Sequence, residues 1–167
     1  EGTCGCKIEW VALEDGAALL SRLKLEGEQT NADIVLGIDT NLTAETKATG
    51  LVSPHEVDLS GVKLPVAWND AEFVPYDYGY FAFVYDTQTL SHPPQSLAEL
   101  ANAGDTPKLI YMDPRTSTPG LGLLLWVKQV VGDEPAAAWK NIATKTLTVT
   151  KGWSEGYGLF LKGEAPL

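Results

Sequence analysis

Three short turns in the sequence carry residue types that can bind a small charged ligand. Asp15 and Gly16 offer a carboxylate and a stretch of backbone that a ligand can approach closely. Ser117 and Thr118 offer hydroxyl groups at the predicted start of a helix, where the helix dipole attracts anions. Trp153 offers a flat aromatic face to a ring or a cation. Ligand binding is therefore the chemistry that these turns suggest.

Each turn also has a structural explanation. Asp is a common N-cap residue, so Asp15 can simply begin a helix. Ser117 and Thr118 can cap the helix that follows them, whereas Arg115 in the same turn would add positive charge to an anion site. Trp153 can pack on the surface of its own subdomain. Both explanations stay open for all three turns.

Strands that alternate with helices are expected to position these turns. Apolar runs and helical spacing predict the elements along the chain. The predicted strands are residues 7–13, 32–38, 108–112 and 147–150, and the predicted helices are residues 16–26 with Gly27 as C-cap, 40–51, 96–101, 120–131, 135–143 and 154–162. This order predicts a parallel α/β sheet, which binds ligands beyond the carboxyl ends of its strands. The three turns follow predicted strands and lie at such ends.

An aromatic segment divides the chain. Seven of the fifteen aromatic residues lie between residues 73 and 85, where Pro75 and Gly79 interrupt an otherwise extended pattern. The pattern predicts a kinked crossing strand, or hinge, at residues 73–86 between two subdomains, residues 1–72 and 87–167. The aromatic side chains fit either a core strand or a ligand-lining strand.

Charge and motifs narrow the function classes. Twelve Lys and Arg residues against 22 Asp and Glu residues give a net charge of −10 and a pI near 4.5. This charge has the wrong sign for binding nucleic acid or an anionic membrane. No apolar run reaches the roughly 18 residues that a membrane helix needs. Motifs of the GxSxG, HExxH, Walker and GxGxxG types are absent from the sequence, so no catalytic residue is predicted.

Cys4 and Cys6 are the only cysteines of the chain. A pair separated by one residue can form a small disulfide ring in an oxidising compartment, and two free thiols are the alternative. A metal site is a third possibility, but His55 and His92 lie far along the chain in loop-like sequence. No metal ligand is therefore predicted, and the state of the cysteines stays open.

Six stretches spread over the whole sequence carry a family resemblance. They are CGCKIEWVALEDGAALLSRL, ADIVLGID, FVPYDYGYFAFVYD, PPQSLAEL, YMDPRTSTPGLGLLLW and TVTKGWSEGYGLFLKGE. Through them the chain resembles the thiamine-binding family of periplasmic solute-binding proteins, which serve bacterial ABC importers. The resemblance implies an α/β fold of the two-lobed type II class, with parts of both lobes present and the ligand held between lobes.

The resemblance also implies a function and a ligand site. The chain is expected to capture thiamine and its phosphate esters in the periplasm and to deliver them to an ABC transporter permease, without a cofactor or catalysis. The ligand-binding positions carried over from the family are Asp15, Gly16, Ser117, Thr118 and Trp153. Asp15 suits the aminopyrimidine or the thiazolium charge, and Trp153 suits the flat cationic rings. Ser117 and Thr118 suit a phosphate ester.

The chain departs from the family at both ends. The strand and helix that precede the CGC segment in the family are missing, and so is everything after the GLFLKGE segment. A partial chain is therefore expected. Apolar surface left uncovered by the missing segments is expected to promote self-association.

Two other functions are alternatives. A receptor for another small solute would bind a polyamine through the acidic excess, or ferric iron through Tyr76, Tyr78 and Tyr80. Iron needs ligands that converge on one point, whereas alternating side chains of a strand lie one after another along the same face. A thiamine-processing enzyme on the same fold would need a nucleophile in the cleft. Cys4 and Cys6 precede the first predicted strand, away from the strand ends that form a cleft. A thiamine receptor is therefore the leading hypothesis.

Overall fold

Most of the regular secondary structure lies in the second half of the chain. The structure is a computed structural model that describes residues 3–133 and 135–167. The helices are α1 (Gly16–Glu26), α2 (Thr43–Lys47), α3 (Leu97–Asn102), α4 (Thr118–Val131), α5 (Pro135–Lys145) and α6 (Trp153–Leu161), with a 3-10 turn at Gly27–Gln29. The strands are β1 (Leu109–Met112) and β2 (Thr146–Thr150). Helix and strand together confirm the predicted α/β class.

The two strands pair in parallel, with Ile110 opposite Thr148 and Met112 opposite Thr150. Parallel strands need a crossover connection, which α4 and α5 supply. The core beside the sheet is formed by Leu97, Leu100, Ala101, Leu109, Leu123, Val127, Ala138, Ile142 and Leu167. Because both strands run in the same direction, the second and third turns leave the sheet at the same edge.

A buried lysine joins α3 to this core. Lys145, the last residue of α5, is fully buried, and its Nζ donates hydrogen bonds to the carbonyl oxygens of Leu100 and Ala103 at 2.7 and 2.6 Å. Burial lowers the pKa of this ammonium group. The last carbonyl groups of a helix lack partners within the helix, so Lys145 satisfies the end of α3.

Helix α1 begins and ends where the sequence predicts. Asp15 is its N-cap, and Gly27, with φ of 54°, is its C-cap. Leu20 and Leu23 are buried on one side of α1, and an ion pair from Lys24 to Glu45 joins α1 to α2. The helix predicted at residues 40–51 is shortened to α2, with turns on either side.

The strands predicted at residues 7–13 and 32–38 do not form in the described chain. Trp10 is 75% exposed and Ile34 is 84% exposed, so these apolar runs are uncovered. A strand needs a neighbour to receive its backbone hydrogen bonds, and within residues 3–133 and 135–167 the sheet contains β1 and β2 alone. The described sheet is therefore smaller than predicted.

The aromatic segment at residues 73–86 is irregular rather than a strand. It packs on α4: the Phe81 ring lies against Gly122, and the Phe83 and Trp126 rings are 5.7 Å apart between centroids. The segment therefore packs against a helix and does not form the predicted crossing strand. The lobe boundaries around this segment remain a prediction.

Cys4 and Cys6 form a disulfide, which decides between the alternatives that the sequence left open. Within the described parts of the chain, no helix is both long and apolar enough to cross a membrane.

Candidate functional site

The carboxylate of Asp15 connects the N-terminal ends of two helices. Its Oδ1 accepts a hydrogen bond from the Gly16 N–H at 2.9 Å and caps α1. Its Oδ2 accepts from the Ser117 hydroxyl at 2.9 Å and from the Thr118 backbone N–H at 3.0 Å. The hydrogen bond to Ser117 spans 102 positions of sequence. The first and second turns identified in the sequence therefore meet in space.

Helix α4 begins with its first donors already occupied. Ser117 is fully buried and is the N-cap, and its Oγ accepts from the Gly120 N–H at 3.5 Å. The Thr118 N–H is taken by Asp15, and Pro119 has no N–H to offer. These are the groups that would bind an anion at a helix N-terminus. A phosphate at this position must therefore replace the Asp15 carboxylate.

Asp39 belongs to the same junction, although it is not one of the five predicted site residues. Its Oδ2 accepts a hydrogen bond from the Thr118 hydroxyl at 2.9 Å, and its Oδ1 accepts from the Asn41 N–H at 2.8 Å. A signal was present in the sequence, because Asp39 directly follows the apolar run at residues 32–38. Polar residues at the carboxyl end of a predicted strand are candidates for a ligand site.

Gly16 is required by the close approach of three segments. A Cβ atom at this position would lie 2.7 Å from the Gly37 carbonyl oxygen and 2.9 Å from Thr118 Oγ1. Both distances are shorter than real contacts, and the first involves backbone. The absence of a side chain at Gly16 therefore allows α1, the segment before Asp39 and α4 to come together.

Trp153 is the first residue of α6 and presents part of its ring to solvent, with 49% of the residue exposed. Its ring stacks on Tyr157, one helical turn later, with centroids 4.5 Å apart and an interplanar angle of 21°. Tyr157 stacks in turn on Phe160. Trp153 is thus held by its own helix, and about half of the residue remains exposed.

The third turn is joined to the other two. The Thr116 hydroxyl donates a hydrogen bond to the Lys151 carbonyl oxygen at 2.6 Å. A Cβ atom built on Gly152 would lie 2.9 Å from Glu14 Oε2, so the residue before Asp15 approaches the start of α6. The structure therefore brings the turns of all five predicted site residues to one junction. Their contact with a ligand remains a prediction.

Arg115 is engaged within its own turn. Its Nε donates hydrogen bonds to both carboxylate oxygens of Asp113 at 2.9 and 3.1 Å, and its backbone N–H donates to Oδ1 at 2.8 Å. The Arg115 guanidinium and backbone N–H lower the pKa of the Asp113 carboxyl to about 2. The positive charge suggested for the second turn is therefore paired with Asp113.

The junction carries negative charge without a paired cation. Asp15 and Asp39 accept hydrogen bonds from hydroxyl and backbone N–H groups, and neither takes part in a salt bridge with any residue that the structure describes. Over the same residues, no group of three or more His, Cys, Asp and Glu side chains is arranged to hold a metal ion. Two carboxylates therefore lie close to the start of α4 and favour positive charge there.

Two cavities elsewhere offer a comparison. One of about 300 Å³ is lined by apolar residues between Leu59 and Pro75, and one of about 390 Å³ lies between α1 and the end of α2, near Lys24 and Leu51. None of the predicted site residues lines either cavity. The first is walled mainly by aliphatic side chains and Trp68, and it lacks the charged groups found at the junction.

The sequence is similar to known binding proteins that are about twice as long. The chain is 57% identical over all of its 167 residues to the thiamine-binding periplasmic protein of Brucella abortus, and 56% identical over the same length to that of Escherichia coli. It covers 50% and 51% of those two proteins, respectively. The chain thus spans about half the length of the curated relatives it matches.

A solved structure agrees with the sequence relatives. A periplasmic thiamin binding protein, 55% identical in sequence, superposes with a TM-score of 0.96 over 99% of this chain and 52% of its own. No family model matches the chain. The local geometry described above therefore belongs to a chain whose fold matches part of a longer binding protein.

Proposed function

Because the chain is a homologue of the thiamine-binding periplasmic proteins over its whole length, we propose that it forms part of a receptor that captures thiamine and its phosphate esters in the periplasm. The receptor delivers the vitamin to the permease of an ABC transporter. It binds without a cofactor and without catalysis. The chain covers about half of the length of each relative on which this proposal is based.

One observation carries this proposal. Ser117 and Thr118 both donate hydrogen bonds to Asp15, more than 100 positions earlier in the chain. Trp153 begins the helix of the third turn, which meets the same junction. These elements come from both sides of the aromatic segment. Such an arrangement fits a ligand held between two lobes, with lobe parts at residues 1–72 and 87–167 and the hinge at 73–86.

The chemistry of thiamine fits the groups at the junction. Its thiazolium ring carries a positive charge, which the carboxylates of Asp15 and Asp39 attract. Its two flat rings can stack on the half-exposed Trp153 side chain. Binding energy from both contacts would favour the closed arrangement of the lobes over the open one.

Thiamine binding by the native protein that contains this chain tests the proposal. We expect saturable heat in a calorimetric titration and a change in Trp fluorescence. Replacing Trp153 with Ala is expected to weaken thiamine binding about two- to thirtyfold, because a cation stacked on an indole contributes on the order of 0.5–2 kcal/mol. Trp153→Phe keeps an aromatic face and is expected to lose less.

The same titration separates the alternatives. Spermidine and ferric citrate are the probes for a polyamine receptor and an iron receptor. Binding of either probe, together with no heat from thiamine, would refute the proposed function. Equal thiamine affinities of the wild type and Trp153→Ala would refute the role of Trp153. The melting temperature of each variant shows whether the fold is retained.

The exposed apolar segments support the expected self-association of the 167-residue chain. Trp10, Ile34 and Tyr80 are 75%, 84% and 85% exposed. Light scattering after size-exclusion chromatography of this chain is expected to show a mass above 18.0 kDa. A monomer at all concentrations would contradict the expectation.

A further inference from the structure

We propose that Asp39 is a positioning residue of this junction that also selects ligand charge. It holds the Thr118 hydroxyl and lowers the affinity for a phosphate ester of the ligand relative to the unphosphorylated cation. The proposal rests on the proposed function. It assigns a role to a residue that the sequence analysis did not include among the ligand-binding positions.

The direction of the hydroxyl protons is the first step. An ionised carboxylate accepts hydrogen bonds and cannot donate them, so Ser117 donates its single hydroxyl proton to Asp15 and Thr118 donates its proton to Asp39. Each hydroxyl then has only lone pairs left for a ligand. The Ser117 and Thr118 hydroxyl groups, which would have to donate hydrogen bonds to a phosphate at this helix start, can only accept them in the described arrangement.

The charge around the helix start is the second step. The Thr118 N–H, which would serve an anion at the N-terminus of α4, is bonded to Asp15. Asp39 places a second carboxylate on the neighbouring hydroxyl, and among the described residues neither carboxylate has a salt-bridge partner. A phosphate entering here meets two negative charges, whereas a cation meets attraction.

The geometry of Asp39 exceeds what its local turn requires. Its Oδ1 alone makes the turn, by accepting from the Asn41 N–H two residues later. Its Oδ2 reaches Thr118, 79 positions along the chain. Asp58 makes the same kind of turn, with Oδ1 accepting from the Ser60 N–H at 2.9 Å, and its described hydrogen bonds stay within that turn. Asp58 is therefore a matched control.

Calorimetric titration of the native protein with thiamine and with thiamine monophosphate tests the role of Asp39. Asp39→Asn keeps an oxygen that can accept from Thr118 but removes the charge. We expect the ratio of the monophosphate Kd to the thiamine Kd to fall about three- to tenfold in this variant, because a nearby charge no longer repels the phosphate. Asp58→Asn, with the same change in net charge, is expected to leave the ratio unchanged.

A second variant isolates the positioning role. Asp39→Ala removes the hydrogen bond as well as the charge, and we expect both ligands to bind about two- to tenfold more weakly than they bind to Asp39→Asn. Thr118→Val removes the same hydrogen bond, and we expect it to weaken the binding of both ligands by a similar factor. In the double variant the two losses should not add, since both changes remove one hydrogen bond.

The outcomes distinguish the inference from the function on which it depends. Wild-type protein that binds both ligands, together with an unchanged Kd ratio in Asp39→Asn, overturns the role of Asp39 and leaves the proposed function intact. Wild-type protein that binds neither ligand overturns both. An equal shift of the ratio in Asp58→Asn also overturns the role, because it shows an effect of overall charge. Melting temperatures confirm that each variant is folded.

Discussion

Residues 3–72 and residues 97–167 contain similar apolar runs but bury them to different extents. In the second region Leu109 on β1 is fully buried, because β2 and the crossover helices lie beside it. In the first region Ile34 lies in an equally apolar run and is 84% exposed. The difference lies in the neighbours and not in the composition. An apolar run becomes a strand only where another strand receives its backbone hydrogen bonds.

Among the tests of this contrast, matched isoleucine substitutions are expected to produce the largest change in stability. Ile142 is 1% exposed and Ile34 is 84% exposed. In the 167-residue chain we expect Ile142→Ala to lower the free energy of unfolding by about 2–5 kcal/mol, since it leaves a cavity in the core. Ile34→Ala is expected to change it by no more than about 0.5 kcal/mol. Urea denaturation measures both, and equal losses would show that residues 32–38 are packed after all.

Two helical glycines test the contact between the aromatic segment and the second region. A Cβ on Gly122 in α4 would lie 2.5 Å from the Phe81 ring, whereas a Cβ on Gly158 in α6 meets open space. Gly122→Ala is expected to lower stability by about 1–3 kcal/mol, because the ring must move. Gly158→Ala is expected to raise stability by up to about 1 kcal/mol through helix propensity.

Thermal unfolding of the two glycine variants provides the measurement. Fluorescence of Trp126, whose ring contacts Phe83, should change in Gly122→Ala and stay constant in Gly158→Ala. A stabilised Gly122→Ala protein would mean that residues 73–86 are not held on α4.

The smallest expected effect is the pH dependence of the Asp113 turn. Hydrogen bonds from Arg115 lower the pKa of Asp113 to about 2, from an ordinary value of 3.8. A lowered carboxyl pKa stabilises the fold above the unfolded pKa, and this stabilisation is lost as the pH falls from about 4 through about 2. The Arg115 side chain is 86% exposed, so salt screens the pair and the effect should be smaller than that of either glycine variant.

Comparison with Asp113→Asn isolates this contribution. The melting temperatures of the wild type and the variant should differ at pH 7 in low salt and converge near pH 2. A difference that persists unchanged at pH 2 would show that the Asp113 charge does not stabilise the turn.

Local signals explain what the sequence predicted well. Asp15 and Gly27 mark the ends of α1, and Ser96 with Glu99 marks the start of α3, where the Ser96 hydroxyl accepts from the Glu99 N–H. Helix ends depend on residues only a few positions apart. The three turns of the candidate site were selected from equally local signals, since each follows a predicted strand, although the strand at residues 7–13 does not form in the described chain.

Contacts between distant residues explain what the sequence missed. Nothing near Asp39 in the sequence indicates that its carboxylate meets Thr118, 79 positions away. The role of Asp15 was half predicted: the cap on α1 is local, but the bonds to α4 are not. Strand pairing at residues 7–13 and 32–38 failed for a related cause, because pairing depends on a partner that the run itself does not specify.

The bonds from Asp15 to α4 also constrain the order in which the chain folds. Ser117 caps α4 from the adjacent position, so that helix can form and pack within residues 97–167. The bond from Asp15 closes a loop of 102 residues, at an entropic cost of about 4 kcal/mol by the chain-length dependence of loop closure. Docking of α1 is therefore expected late in folding. During synthesis, α1 leaves the ribosome about a hundred residues before its partner helix exists.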